Sequence, residues 1–398
     1  MMLDDVYKKI DEICYFNSKK VIEAFWHNNV SEACFNSTCG YGYGDFGRDT
    51  LEKVYSEIFK AEDALVRNQF ISGTHAISTA LFAMLRPGDT LLSITGKPYD
   101  TLDSVIGLND NPSSLKAFGI SYEQIDLIDS EFDLEKIKNR IKKSNIKVVH
   151  IQRSVGYANR DSISIEKLER VIQVIKEINE DIIVFVDNCY CEFVTKKEPI
   201  EVGADICVGS LIKNLGAGIA SNGAYIVGKK NLIHLCSERL NVAGEAKEVG
   251  PSLGANKSLY QGLYMAPSVV ASALKTVVYA AYKLENLGID VSPRWNEDRS
   301  DIVLKIIFKE KNKLLKFVEG IQMGSAIDSN VLPVPTKMPG YDDEIIMASG
   351  SFTQGSSIEI SCDGPLREPY IAYLQGSLTF EYGKIAIDKA IDNLTKSF

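Results

Sequence analysis

Between about residues 64 and 230 the chain alternates short apolar segments with amphipathic ones, and this constrains the fold more than any other feature. The apolar segments are Ala64-Leu65-Val66, Thr90 to Ile94, Val148-Val149-His150-Ile151, Ile182 to Val186, Ile206-Cys207-Val208 and Ala224 to Val227. The intervening helices are predicted over Thr74–Leu85, Asp133–Lys142 and Ile165–Asn179. Strands that are apolar on both faces and separated by helices predict a mostly parallel sheet covered on two sides, an α/β fold. Pro87-Gly88-Asp89 stops one helix and turns the chain into the next strand.

Outside this region, Val6, Ile10, Ile13, Phe16, Val21, Ile22 and Phe25 recur at helical spacing, so residues 1–30 are predicted helical. Thr38 to Gly47 is rich in glycine and aromatic residues and reads as an ordered loop, since each interior glycine costs a helix up to about 1 kcal/mol. Helix resumes over 49–61, with Asp49 or Thr50 as the predicted N-cap. A long apolar helix is predicted from Ala266 or Pro267 to about Leu287, closed by Gly288. Beyond it, Ile302–Phe308, Leu314–Ile321 and the alternating Ser357-Ile358-Glu359-Ile360-Ser361 predict a smaller α+β domain, with a loop-rich stretch at 328–356. The expected division is therefore 1–48 (helices and loop), 49–265 (large domain) and 266–398 (linking helix and small domain).

The net charge of −9 disfavours nucleic-acid and anionic-membrane partners. Met1 to Ile10 carries neither a basic nor an apolar leader region, and no uninterrupted apolar run reaches the roughly 18–20 residues of a membrane helix. Eight scattered cysteines suit free thiols in a reducing cytoplasm. Cys189-x-Cys191, the only close pair, lacks the second pair or spaced histidine of a metal site, so buried thiols and no metal are expected.

The chemistry concentrates where predicted strands end. Ile182 to Val186 runs into Asp187, and Lys213 sits in the otherwise uncharged Gly209-Ser210-Leu211-Ile212-Lys213-Asn214-Leu215-Gly216. A strand-end carboxylate followed by a turn bearing one lysine is the pattern of a pyridoxal phosphate site. Opposite a pyridine nitrogen, Asp187 would keep that nitrogen protonated. Lys213, desolvated and lowered in pKa, would form the Schiff base and act as a base. Ser72-Gly73-Thr74 opens a helix after a strand, and such N-termini bind anions. Ser210 could add a hydroxyl to the same phosphate. Tyr99, after the strand ending at Ile94, is the candidate to stack on the ring. Each piece alone has an ordinary reading, as an N-cap, a turn cap, a surface lysine or a core tyrosine. Their order along the chain favours the cofactor. Neither G-x-G-x-x-G nor G-x-x-x-x-G-K-[ST] occurs, which disfavours a nucleotide-binding module.

Ile71-Ser72-Gly73-Thr74-His75-Ala76-Ile77, Leu85-Arg86-Pro87-Gly88-Asp89, Val186-Asp187-Asn188-Cys189-Tyr190 and Gly209 to Asn214 together resemble fold type I pyridoxal phosphate enzymes of the cystathionine lyase and methionine γ-lyase group. Gly40-Tyr41-Gly42-Tyr43, Gly47 to Glu52, Gln261-Gly262-Leu263 and Pro365 to Tyr370 resemble, within that group, the cystathionine β-lyase-like proteins involved in aluminium resistance. The resemblance covers nearly the whole chain. It implies that Lys213 links the cofactor, Asp187 meets the pyridine nitrogen, Tyr99 stacks, and Ser72, Gly73, Thr74 and Ser210 surround the phosphate. It also implies a homodimer or homotetramer with sites shared between subunits, the 38–47 loop being the crossing element. The lyases' Tyr-x-Arg pair, which reaches the cofactor phosphate from a neighbouring subunit, falls on Tyr43 and, in place of arginine, Asp45, so the resemblance implies Tyr43 as a cofactor-binding residue, with Arg48 the nearby substitute. The lyases' late carboxylate-binding arginine has Arg367 as its nearest counterpart, so Arg367, Tyr43 and Arg48 are the substrate-binding candidates. Cys191 stands where the subfamily has glycine.

The implied activity is carbon–sulfur lyase chemistry on a sulfur-containing amino acid by β- or γ-elimination, with Lys213 and Tyr99 as catalytic residues. Other pyridoxal phosphate amino-acid enzymes (aminotransferase, racemase, aldolase) share the same cradle. A weakly catalytic cofactor-binding protein of metal tolerance is the remaining alternative.

Overall fold

In the computed structural model, which describes residues 2–143, 145–338 and 343–395, helix α1 spans Leu3–His27. Ile10, Val21 and Ala24 of its apolar stripe are buried. Helix α2 spans Phe46–Phe59, beginning earlier than expected. Its N-cap is Asp45, whose carboxylate accepts from Arg48 N at 2.9 Å, rather than Asp49 or Thr50. Gly47 in the first turn hides this start from propensity. It is needed there because a Cβ would lie 2.0 Å from Cys34 O. The Asp45 carboxylate also accepts from Thr38 Oγ1, Ser252 N and Asn256 Nδ2, and so ties the glycine-rich loop to a distant segment.

The large sheet follows as β1 (Asp63–Arg67), α3 (Gly73–Met84), β2 (Thr90–Ser93), α4 (Asp103–Ile106), β3 (Ser121–Gln124), α5 (Leu134–Ile141), β4 (Ile146–Gln152), α6 (Ile165–Ile178), β5 (Ile183–Asp187), β6 (Ile206–Ser210), β7 (Ala224–Gly228) and α7 (Lys230–Leu240). Strand order is β1-β7-β6-β5-β4-β2-β3. The β2–β3, β2–β4, β4–β5 and β5–β6 pairs are parallel, and β7 runs antiparallel to both neighbours. The C-terminal ends of β1, β2, β4, β5 and β6 therefore meet at one edge, where open α/β sheets bind ligands. Every residue of β5 and β6 is buried, as expected of strands covered on both faces. Strand β3, Ser-Tyr-Glu-Gln at the sheet edge, was not expected, because its polar sequence carries no apolar signal.

Helix α8 (Asn256–Asn286) runs through Pro267 and begins ten residues before the predicted start. It is long and apolar enough to cross a membrane, unlike any stretch expected from the sequence, yet 72% of its apolar window is buried inside the fold. Gly262 lets it close on the Lys213 loop, since a Cβ there would lie 2.6 Å from Gly216 O. Helices α2 and α8 run unbroken through the 48/49 and 265/266 divisions drawn from the sequence.

The smaller α+β unit holds β8 (Asp290–Ser292), β9 (Val303–Ile307), α9 (Lys311–Met323), β10 (Thr336–Lys337), β11 (Glu344–Ser349), β12 (Ser361–Pro365), β13 (Ile371–Gln375) and α10 (Phe380–Thr395). Its strands pair antiparallel in the order β10-β11-β12-β13-β9-β8. Leu304, Ile306, Phe317, Ile346, Leu374 and Ile387 share its core. The alternation at 357–361 is not a strand: Ser357–Glu359 form a 3₁₀ turn and Ile360 has φ +123°, so β12 starts only at Ser361. Residues 339–342 of the loop-rich stretch lie outside the described residues.

Candidate functional site

The strand ends bring Gly73, Thr74, Tyr99, Asp187, Ser210 and Lys213 around one cavity of about 140 Å³, with Ser72 at its edge. Lys213 follows β6 and points its Nζ at the Tyr190 ring, 4.0 Å from the centroid. Asp187 ends β5, nearly buried, and one carboxylate oxygen accepts from Cys189 N at 3.1 Å. Tyr99 is fixed through its backbone N–H, which donates to Gln152 Oε1 at 2.7 Å. Its ring leans on Tyr157 at 5.5 Å between centroids.

Ser72 caps α3 by accepting from His75 N at 3.1 Å. That leaves the Gly73 and Thr74 N–H groups at the first turn without intrahelical acceptors. Ser210 Oγ is buried and has no hydrogen-bond partner among the described residues. Gly73 brings the turn against it: a Cβ on Gly73 would lie 3.3 Å from Ser210 Cβ and 3.5 Å from Cys189 Sγ. A buried hydroxyl without a partner, beside a helix start with free donors, fits a phosphate group. A carboxylate, Asp187, and a lysine, Lys213, line the same cavity and are the groups that could hold a pyridoxal ring there.

The expected low amine pKa is corrected. Burial pulls Lys213 down, but its coupling to the acidic groups packed around it, Cys189, Tyr190, Asp187 and Glu192, outweighs burial and shifts the free amine above the usual lysine range. Cys189 and Cys191 are buried free thiols, each pushed well up, chiefly by burial. Behind the site, burial pushes the Glu192 carboxyl up to about 8, although Tyr225 OH donates to it at 2.9 Å.

Three predicted site residues stand outside this cavity within one chain. Tyr43 is 61% exposed and packs on Tyr41, with ring centroids 5.6 Å apart. Arg48 is buried and fastens the glycine-rich loop: its Nη1 donates to Gly42 O at 2.8 Å and Gly250 O at 3.0 Å, and its Nε to Asp49. Arg367 lines a separate cavity of about 160 Å³ with Tyr157 and Tyr373, pairs with Asp343 at 2.9 Å and donates to Tyr157 O at 3.0 Å.

Conversely, Tyr190, Gln152, Ser154 and Gly156 line the Lys213 cavity and were not expected there. Tyr190 was within reach of sequence reading, three residues past Asp187. Gln152, a polar residue closing an apolar strand, carried a fainter signal of the same kind.

This fold and this site define the fold type I class of pyridoxal phosphate-dependent proteins. The match to the methionine gamma-lyase family model covers residues 1–395, and the chain belongs to that family. It is 48% identical to the Bacillus subtilis protein YnbB over 392 residues, covering 98% of this chain and 93% of that one. A solved carbon-sulfur lyase involved in aluminum resistance from Clostridium novyi NT superposes with a TM-score of 0.95 at 49% identity, covering 99% and 93% of the two chains. The pyridoxal-5'-phosphate dependent protein YhfS of Escherichia coli shares the fold at 17% identity, with a TM-score of 0.62 over 98% and 97% of the chains.

Proposed function

We propose that this chain is a pyridoxal phosphate-dependent carbon–sulfur lyase that eliminates a thiol from a sulfur-containing amino acid at Cβ or Cγ. One observation carries the reading: Lys213, Asp187 and Ser210 line one cavity, and the Ser210 hydroxyl has no hydrogen-bond partner among the described residues. Lys213 would hold the cofactor covalently, Asp187 would meet its ring nitrogen and Tyr99 its ring face. Ser72, Gly73, Thr74 and Ser210 would surround its phosphate. When bound, the cofactor supplies an electron sink for the bond broken at Cα.

The protein's own groups do the rest. Lys213 Nζ takes the Cα proton of the substrate as general base. Asp187 keeps the proton on the ring nitrogen by its adjacent negative charge. Tyr99 or Lys213 returns a proton to the leaving sulfur. The thiol leaves first, and one water hydrolyses the remaining enamine to ammonia and a 2-oxo acid.

We extend the proposal to assembly and setting. Tyr41, Tyr43, Phe46, Leu253 and Tyr264 are exposed apolar groups on and around the glycine-rich loop and α8. They suit a homodimer, or a tetramer of two dimers, in which this loop brings Tyr43 to a neighbouring site. Arg48 acts there through the loop it fastens, and Arg367 receives the substrate carboxylate from the small domain. The eight free thiols suit the cytoplasm, and the Clostridium relative suggests a part in aluminium resistance. The commitment of Arg367 to Asp343 favours, as a second reading, a different amino-acid reaction in the same cradle.

The test is a panel of sulfur amino acids given to the pure protein, with thiol, ammonia and 2-oxo acid measured together. Stoichiometric release of all three is expected. Transfer of the amino group to an added keto acid, without thiol release, would establish the second reading instead.

A further inference from the structure

Away from Lys213, a cavity of about 180 Å³ opens between α1, α8 and the segment 297–300 that leads into β9. Its floor is aliphatic, formed by Val6, Ile10 and Ile13 of α1 with Leu274 and Val278 of α8. Into it comes Arg299. Its Nη2 donates to Pro293 O at 3.2 Å, while its Nε and Nη1 are buried and have no partner among the described residues. Buried guanidinium donors left unmet are rare in folded proteins and call for an acceptor. One water takes up about 30 Å³, so the cavity has room for a larger molecule.

The Asp301, Glu297 and Glu285 carboxylates act on Arg299 through their charge, but among the described residues none accepts a hydrogen bond from its Nε or Nη1. Asp301 accepts from Val155 N and Val303 N. Glu297 accepts from Arg294 N, Glu285 accepts from Trp295 N, and Asp298 pairs with Lys9. Glu166, in the first turn of α6, lines the cavity, is exposed and has no ion-pair partner among the described residues. Burial pulls the Arg299 guanidinium down to about 10, which still leaves it a cation at neutral pH. One inner cation, one free carboxylate and an aliphatic floor complement a zwitterion with a short apolar side chain.

We propose that this cavity binds a small aliphatic α-amino acid, its carboxylate on Arg299, its ammonium on Glu166 and its side chain on the α1–α8 floor. The site is separate from the Lys213 cavity, but the two are near in the chain. Val155, held by Asp301, lies between Ser154 and Gly156 of the Lys213 cavity wall.

The test is calorimetric titration of L-leucine into the protein loaded with pyridoxal phosphate and then reduced with borohydride, which converts the lysine–cofactor imine to a secondary amine and so blocks exchange at Lys213. One L-leucine per chain is expected. Arg299→Gln should weaken it roughly ten- to a hundredfold, the range for losing a charge-assisted bond. Glu166→Gln, at an exposed position, should weaken it about two- to fivefold. Isoamylamine, which lacks the carboxylate, should bind at least as weakly as L-leucine binds the Arg299→Gln protein. Absence of saturable binding overturns the proposal. So does isoamylamine binding as tightly as L-leucine, or a soaked crystal showing only water beside Arg299. If Arg299→Gln does not fold, the isoamylamine and Glu166→Gln results decide.

Discussion

Ser210→Ala separates a cofactor ligand from a structural serine, because the two roles predict opposite effects on the empty protein. Among the described residues no protein group pairs with Ser210 Oγ, so in the cofactor-free chain its removal breaks no hydrogen bond within the protein. Removing it should leave the cofactor-free protein as stable as before, or more stable by up to about 1 kcal/mol. With the phosphate present the hydroxyl donates to a charged acceptor, a bond worth about 1.5–3 kcal/mol. Cofactor affinity should therefore fall roughly ten- to a hundredfold. The assay is paired: denaturant unfolding of the cofactor-free variant, and equilibrium dialysis of pyridoxal phosphate against both proteins. A variant whose empty form loses more than about 1 kcal/mol while its cofactor affinity is unchanged would refute the phosphate assignment.

Further outcomes follow from the same contacts. Gly73→Val should empty the cofactor site while the chain still folds, because the added side chain crowds Ser210 and Cys189 at a cost of about 1–3 kcal/mol, read in cofactor affinity and Tm. Asp45→Ala should lower stability by about 1–2 kcal/mol for the lost cap alone, and by more for the donors of Ser252 and Asn256 left unmet, as measured by urea unfolding. Burial works to raise the Asp45 carboxyl, but hydrogen bonds from Ser252, Thr38, Arg48 and Asn256 win and hold it at about 2. Its contribution is therefore present above pH 3.8 and is lost as pH falls toward about 2, an acid limb that Asp45→Ala should lack. Glu192 has the opposite sign. Its folded pKa of about 8 lies above the ordinary 4.5, so the native state loses stability as pH rises from about 4.5 to about 8. Glu192→Gln should reduce that decline in Tm-against-pH curves. Glu198, also raised, should keep it from vanishing.

The parallel sheet was legible because burial on both faces leaves no choice of residue in β5 and β6; Ile183 to Asp187 and Ile206 to Ser210 announce themselves. Strand β3 was not, since an edge strand needs no apolar face. The start of α8 was hidden by Pro267, which reads locally as a first-turn proline but here sits inside a helix held by its packing. The same limit applies to the site. Asp187, Lys213 and Gly73 were readable because each breaks the pattern of its own segment. Tyr190 reaches the cavity through turn geometry, with a φ of +72° that spacing does not encode, and Gln152 reaches it as the last residue of β4. Arg48 and Arg367 were chosen as cations near the right motif, yet in one chain their donors go to backbone carbonyls and to Asp49 and Asp343. Local sequence shows which residues carry charge, but not which partners meet that charge first.

The central claim is that Lys213 carries the cofactor. Borohydride reduction of the pyridoxal phosphate-loaded protein, followed by proteolysis and peptide mass measurement, tests it most directly. The reduced cofactor's mass should appear on the peptide containing Lys213, and Lys213→Ala should carry none. Label on another lysine, or none on a protein that still releases thiol from a sulfur amino acid, would contradict it.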